Sequence, residues 1–138
     1  MKYDLDRFVA EQEPVYESVL AELRAGRKQS HWMWFIFPQV AGLGLSEISH
    51  RFAIESLDEA RAYLADPLLG ARLRECAALV LASEAPTAEQ IFGPIDARKL
   101  RSSMTLFQRA DPHEPIFSQV LERYLDGVPD EATDTLLG

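Results

Sequence analysis

The sequence predicts an all-α fold: a compact multihelical single domain over residues 1–138, built of seven or eight short helices with one irregular, aromatic-rich segment. Three observations lead there. Eight prolines and seven glycines are spread along the chain and cut it into pieces of helical length. Within those pieces apolar residues recur three or four positions apart, which gathers them on one helix face. Period-two alternation bounded by turns, the mark of a half-buried strand, is nowhere convincing. No internal repeat, linker or low-complexity tract points to a second domain.

Asp4 is placed to cap a short first helix, and Pro14, which needs no backbone N–H partner, suits the first turn of a second. There Val15, Val19, Leu20 and Leu23 form one apolar stripe, and Gly26 can end the helix in the left-handed conformation. From Arg27 to Ile54 the pattern is irregular. Ser56-Leu57-Asp58-Glu59 is a capping-box pattern, in which the hydroxyl accepts from a free amide while Glu59 reaches back; the helix it starts should stop near Asp66. Pro67 opens the next helix. Leu69, Leu73, Cys76 and Val80 then recur at spacings of four, three and four, with Arg74 and Ala78 opposite, a buried seam that predicts the central helix. Thr87 caps a single turn ending at Gly93, and Asp96 caps a helix running to about Ala110. Pro115 opens another, with Phe117, Leu121 and Tyr124 on one face beside Ile116 and Val120, before Gly127 ends it. A last short helix follows Asp130.

With 47% hydrophobic and 26% charged residues the chain is neither disordered nor fibrous. Its 22 acidic and 14 basic side chains give a formal charge of -8, which repels a polyanion and argues against a broad nucleic-acid surface. A local anion site stays open. One cysteine allows no internal disulfide, and the acids at Asp4 and Asp6 do not fit a signal peptide, so a reducing, cytoplasmic setting is expected. No apolar run approaches the roughly 20 residues needed to cross a bilayer, and no membrane partner is expected.

Three segments carry candidate chemistry. Residues 30–39, Ser-His-Trp-Met-Trp-Phe-Ile-Phe-Pro-Gln, hold both tryptophans, and no helical period divides them into inside and outside. Read as core, the stretch from Trp32 to Phe37 packs against the helices at 67–83 and 96–110, and Trp34→Ala costs about 3–5 kcal/mol. Read as a site, its polar ends His31 and Gln39 flank an indole, Trp32 or Trp34, that offers a flat face to a base, ring or cation. Gly42-Leu43-Gly44-Leu45-Ser46 follows, then Glu47, Ser49 and His50. The glycines let backbone approach a ligand and Ser46 can cap a helix facing an anion, although the spacing matches no phosphate-binding fingerprint and a plain turn explains it as well. His31 and His50 are candidate bases, with hydrogen-bonded structural histidines as the alternative.

The third segment runs from Asp96 to Phe107. On a helical wheel Leu100, Met104 and Phe107 form the core stripe, Arg98, Ser102, Thr105 and Arg109 lie opposite, and Lys99 and Ser103 sit between, where an ammonium and a hydroxyl can line a cleft. Residues 94–110 carry four bases and one acid, residues 111–138 seven acids and one base. Such a basic patch either binds an anion or pairs with the acidic tail. The histidines at 31, 50 and 113 and the lone cysteine have no ligand-like spacing, so no metal is expected; no cofactor fingerprint is present, and none is expected either. Cys76 reads as a small buried hydrophobe. The shared expectation is a pocket of His31, Trp32, Gln39, Ser46, His50, Lys99 and Ser103 for a phosphorylated or nucleotide-like small molecule. A non-enzymatic protein-interaction module is the rival class. Substrate, reaction type and oligomeric state are not written in the residues.

Gly26-Arg27-Lys28, Ser30 to Gln39, Gly42 to Ser46, Ile91-Phe92-Gly93 with Asp96, and Lys99-Leu-Arg-Ser-Ser-Met-Thr-Leu-Phe107 together closely resemble a bacterial family, domain of unknown function 1810. The resemblance extends from Asp4-Leu5-Asp6-Arg7-Phe8 to Asp134-Thr135-Leu136-Leu137. It implies a multihelical single domain of about this length and supplies no demonstrated reaction, so no catalytic residue is carried over. Members are often called calpastatins, after a largely disordered eukaryotic protease inhibitor; 47% hydrophobic residues arranged as amphipathic helices contradict that label. A looser similarity is to small, mostly helical proteins that process NAD and ADP-ribose derivatives. It implies hydrolysis of a glycosidic bond in such a molecule, again without catalytic positions that can be aligned.

Overall fold

A computed structural model describes residues 3–138 and contains nine helices among them. They are α1 (Asp6–Gln12), α2 (Tyr16–Arg24), α3 (Met33–Ile36), α4 (Glu47–Arg51), α5 (Leu57–Ala65), α6 (Leu69–Ala82), α7 (Ala88–Ala110), α8 (Pro115–Tyr124) and α9 (Glu131–Leu137). The segment from Arg27 to Ile54 holds the short α3 and α4, which brings the number above the expected seven or eight. Extended pairing among the described residues is limited to an isolated parallel bridge, Val40 to Ile54. No helix among them is long and apolar enough to cross a membrane.

Local signals work where the capping group has no competing partner. Ser56, Thr87 and Asp130 each accept from the amide three residues on. Gly26 leaves α2 at a φ of 72°, in the left-handed region where a side chain would be strained. Gly93, at a φ of 82°, bends α7 just before Pro94, so the expected single turn and the longer helix join as two arms of one element.

Two carboxylates expected to cap do not. Leu5 rather than Asp4 precedes α1. Asp96 lies inside α7, its oxygens held by Lys28 at 2.9 Å and Lys99 at 3.3 Å. Pro14 stands ahead of α2, whose N-cap is Val15. Glu59 reaches past Ser56 to the Glu55 amide (2.7 Å) and pairs with Arg7 (3.1 Å), which also donates to the Arg51 and Ala53 carbonyls. That cluster ties α1, α5 and the end of the irregular segment together.

The central helix is α7 rather than α6. It packs on α5, α8 and α9, which leaves Ser102 to Phe107 buried on every side. The wheel put Ser102 and Thr105 on an outer face, yet both are buried, because each hydroxyl donates to a carbonyl four residues back (Arg98 at 3.2 Å, Arg101 at 2.8 Å) and needs no water. The α6 seam is buried as expected, against α2, α5 and α8.

The aromatic segment packs on α1 and α6. Gln12 fixes it, donating to the Phe35 carbonyl (2.7 Å) and the Tyr63 hydroxyl (3.2 Å). It meets α7 mainly around the bend, where Trp32 and Phe37 contact the Phe92 ring at 6.3 and 6.0 Å and Lys99 covers Trp34. A second aromatic chain, Phe8–Tyr63–Phe107–Phe117, crosses the interior from α1 to α8 at centroid spacings of 5.1, 5.4 and 5.9 Å.

Candidate functional site

Between the aromatic segment, the 40–53 loop and the arm of α7 beyond its bend lies a cleft of about 290 Å³. Val40 and Phe52 contribute apolar lining; Trp34, Gln39, His50, Arg98 and Lys99 contribute the ring and the polar groups. The loop wall depends on close packing at Gly44, where a Cβ would lie 2.4 Å from Ser49 Oγ and 2.5 Å from Ser49 Cβ. Ser46 fixes the same wall from outside. It caps α4, accepting from the Ser49 amide at 3.2 Å, and its hydroxyl is 2.8 Å from that of Ser49.

Lys99 is held from two sides. Its ammonium stands 4.4 Å from the centroid of the Trp34 ring and 3.3 Å from Asp96 Oδ1. Asp96 Oδ2 in turn binds Lys28, whose ammonium donates to the Ser30 carbonyl at 2.6 Å and lies 5.0 Å from the Trp32 ring. This chain of charges runs along the seam between the cleft and a second hollow of about 380 Å³, and Trp34, Ile95 and Lys99 line both.

The structure brings Gln39, His50 and Lys99 to one cleft and puts His31 in the adjoining hollow, with Lys99 shared between the two. Three expected members lie outside the lining. Trp32 is 1% exposed and its indole N–H is taken by Glu22 Oε1 at 3.0 Å, so the available indole is Trp34, which is only half-buried. Ser103 follows Lys99 by one turn, but there α7 has entered the core; the residue is 0% exposed and its hydroxyl meets no hydrogen-bond partner among the described residues. Ser46 is spent on its cap. Arg98, which the wheel places opposite the core stripe, also lines the cleft and lies outside the expected set. Its signal was its position, one residue before Lys99 at the start of the basic run.

Among the described residues the cleft lining includes no carboxylate, although the chain carries -8 overall. Arg98 makes no ion pair among the described residues, and Asp96 offsets Lys99 from behind. Part of the basic patch does pair with the acidic tail: Arg109 grips both Asp134 oxygens at 2.8 and 2.9 Å, which holds that carboxyl below its ordinary range. Cys76 is buried as expected, and burial pushes its thiol up to about 12, which disfavours the thiolate. Among the described residues no group of three or more His, Cys, Asp or Glu side chains is placed to hold a metal ion.

Fold and cleft define a class of single-domain helical proteins with an aromatic, cation-lined cleft beside the bend of the longest helix. The chain belongs to the family described as protein of unknown function DUF1810, whose model matches residues 2–137. It is similar to the conserved hypothetical protein Rv1873 from Mycobacterium tuberculosis, a solved structure with 52% sequence identity and a TM-score of 0.97 over 99% of this chain and 98% of that one. No curated protein matches.

Proposed function

We propose that the cleft binds a phosphorylated or nucleotide-like metabolite, with the class of NAD and ADP-ribose derivatives as the first to test. The observation that carries this reading is the lining itself: Arg98 and Lys99 beside the half-buried Trp34 ring, with no carboxylate among the described residues of the wall in a strongly acidic protein. A partly buried ammonium and an exposed guanidinium favour an oxyanion, and an indole ring favours a flat group attached to it. The setting is cytoplasmic in this reading.

Hydrolysis of a glycosidic bond in such a ligand needs a group that takes a proton from water. Among the side chains lining the cleft, the His50 imidazole is the one suited to accept that proton. Gln39 can hold a hydroxyl or ring nitrogen in either sense, as donor or acceptor.

Thermal-shift measurement with NAD, ADP-ribose and inorganic phosphate tests the reading. A ligand present at 100 times its Kd adds about 2.7 kcal/mol to stability, a readily measured rise in Tm. Lys99→Ala should remove the rise while leaving the unliganded protein nearly as stable. A rise that persists in Lys99→Ala places the ligand elsewhere; no rise with any of the three compounds rejects the reading.

An interaction module is the second reading, and exposed apolar side chains favour it. Leu45 is 92% and Ile95 63% exposed, the first on the loop that forms the cleft wall and the second in the lining. A partner on this face would bury both.

A further inference from the structure

Eleven arginines serve a chain with excess acid, and six of them pair with carboxylates: Arg7, Arg51, Arg61, Arg72, Arg74 and Arg109. Five described arginines have no carboxylate within 4.0 Å, and three of the five, Arg98, Arg101 and Arg123, line one hollow of about 310 Å³ between α7 and the end of α8. We propose that this hollow is a second site, separate from the cleft, and that it binds a phosphoryl oxyanion.

Two of the guanidiniums are held in place by backbone. Arg101 donates from Nε to the Val128 carbonyl at 3.0 Å and from Nη2 to the Leu125 carbonyl at 3.3 Å, and Arg123 donates from Nη2 to the Ser83 carbonyl at 2.7 Å. The Arg123 guanidinium also lies 4.7 Å from the Tyr124 ring centroid. Neutral carbonyls orient the forks without neutralising them, and N–H donors remain on all three: Nη1 of Arg101, Nε and Nη1 of Arg123, and the whole of Arg98. Glu89 and Asp126 line the same hollow, yet neither lies within ion-pair distance of the arginines, and three cations against two anions leave it positive. A carboxylate offers two oxygens to such forks. A phosphoryl group offers oxygens in a tetrahedral array, which suits donors arriving from two helices at once.

Arg98 also lines the cleft, so the two sites share one residue, but the hollow does not depend on the cleft being occupied. The test follows the arginine Nε–Hε resonances during titration with inorganic phosphate and, separately, with dimethyl phosphate, each against sodium chloride at equal ionic strength. Saturable shifts are expected at Arg101 and Arg123, retained in Lys99→Ala. Arg123→Gln should weaken binding about tenfold, the loss of one charge-assisted hydrogen bond. Arg98→Gln should weaken it comparably, and its exposed side chain makes no hydrogen bond or ion pair among the described residues, so that variant keeps the fold. Saturation by inorganic phosphate alone assigns the site to free phosphate or monoesters, and saturation by dimethyl phosphate to diesters. Drifts that do not saturate, equal shifts at the control residues Arg24 and Arg27, or unaltered binding in both variants would overturn the proposal. Loss of binding in Lys99→Ala would overturn it too, while leaving the cleft reading intact.

Discussion

Glu22 accepts four hydrogen bonds, from the Gln29 and Ser30 amides, the Ser30 hydroxyl and the Trp32 indole, and so pins the entry of the aromatic segment to α2. Burial raises its carboxyl pKa, but these donors outweigh that and hold it below the ordinary 4.5. A depressed carboxyl contributes stability that is complete above the ordinary value and is lost as pH falls through the lowered one. Glu22→Gln should therefore be less stable than the wild type at neutral pH, and the difference should shrink below pH 4.5; Tm measured against pH checks this. The two tryptophans separate in the same way. Trp32→Ala deletes a fully buried ring and should cost about 3–5 kcal/mol, the figure the sequence assigned to Trp34. Trp34→Ala should cost well under half of that in chemical denaturation and should instead abolish the Tm rise expected from the proposed ligand. The sequence reading ranks the pair the other way, Trp34 in the core and Trp32 in the pocket, because neither local period nor composition distinguishes them; what lets Trp32 pack inside against Phe37 and Phe92 is a carboxylate ten residues earlier on another element, which takes its indole N–H.

Helix ends were legible where the signal was complete within four residues, as at Ser56, Thr87 and Asp130. They were not legible at Asp4 and Asp96, where partners remote in sequence set the geometry: Arg7 is drawn toward Arg51, Ala53 and Glu59, and Lys28 reaches Asp96 across 68 positions. The same limit applies to α7. Its wheel divides residues by apolarity, but three helices surround its middle, and hydroxyls that bond their own helix enter the core at little cost. Contacts between elements also fix glycines that no turn requires. A Cβ on Gly70 would stand 2.2 Å from the Leu64 carbonyl oxygen, where α5 meets α6. Gly70→Ala should thus destabilise by about 1–3 kcal/mol despite its better helix propensity, since backbone must shift to admit the methyl group. Urea denaturation gives the sign directly: propensity alone predicts a gain.

For the whole molecule, one domain, helical class and a meeting of Gln39, His50 and Lys99 could all be read from residues, because each rests on periodicity or on a basic patch next to glycines. The depth of each side chain could not. Ser103 and Trp32 lie inside the packed body, whereas Arg98 and Trp34 face the solvent side of the same elements. The acidic tail accounts for Arg109 but leaves Arg98, Arg101 and Arg123 without carboxylate partners, so the basic patch is only partly balanced.

The single parallel bridge at Val40 and Ile54 closes a loop at its neck: the Ile54 amide donates to the Gln39 carbonyl at 2.9 Å and the Ala41 amide to the Ile54 carbonyl at 2.8 Å. None of the residues from 41 to 51 is buried. The neck thus separates inheritance of the scaffold from inheritance of the cleft wall. Loop-closure entropy changes by only about 0.6 kcal/mol for each doubling of length, so relatives can lengthen, shorten or rewrite this stretch without refounding the core. Exchanging residues 44–49 for an unrelated hydrophilic sequence of equal length should leave Tm within a few degrees of the original while changing which compounds raise it. Under the proposed binding role, selectivity would diversify as a cassette, with the helical body carried along unaltered.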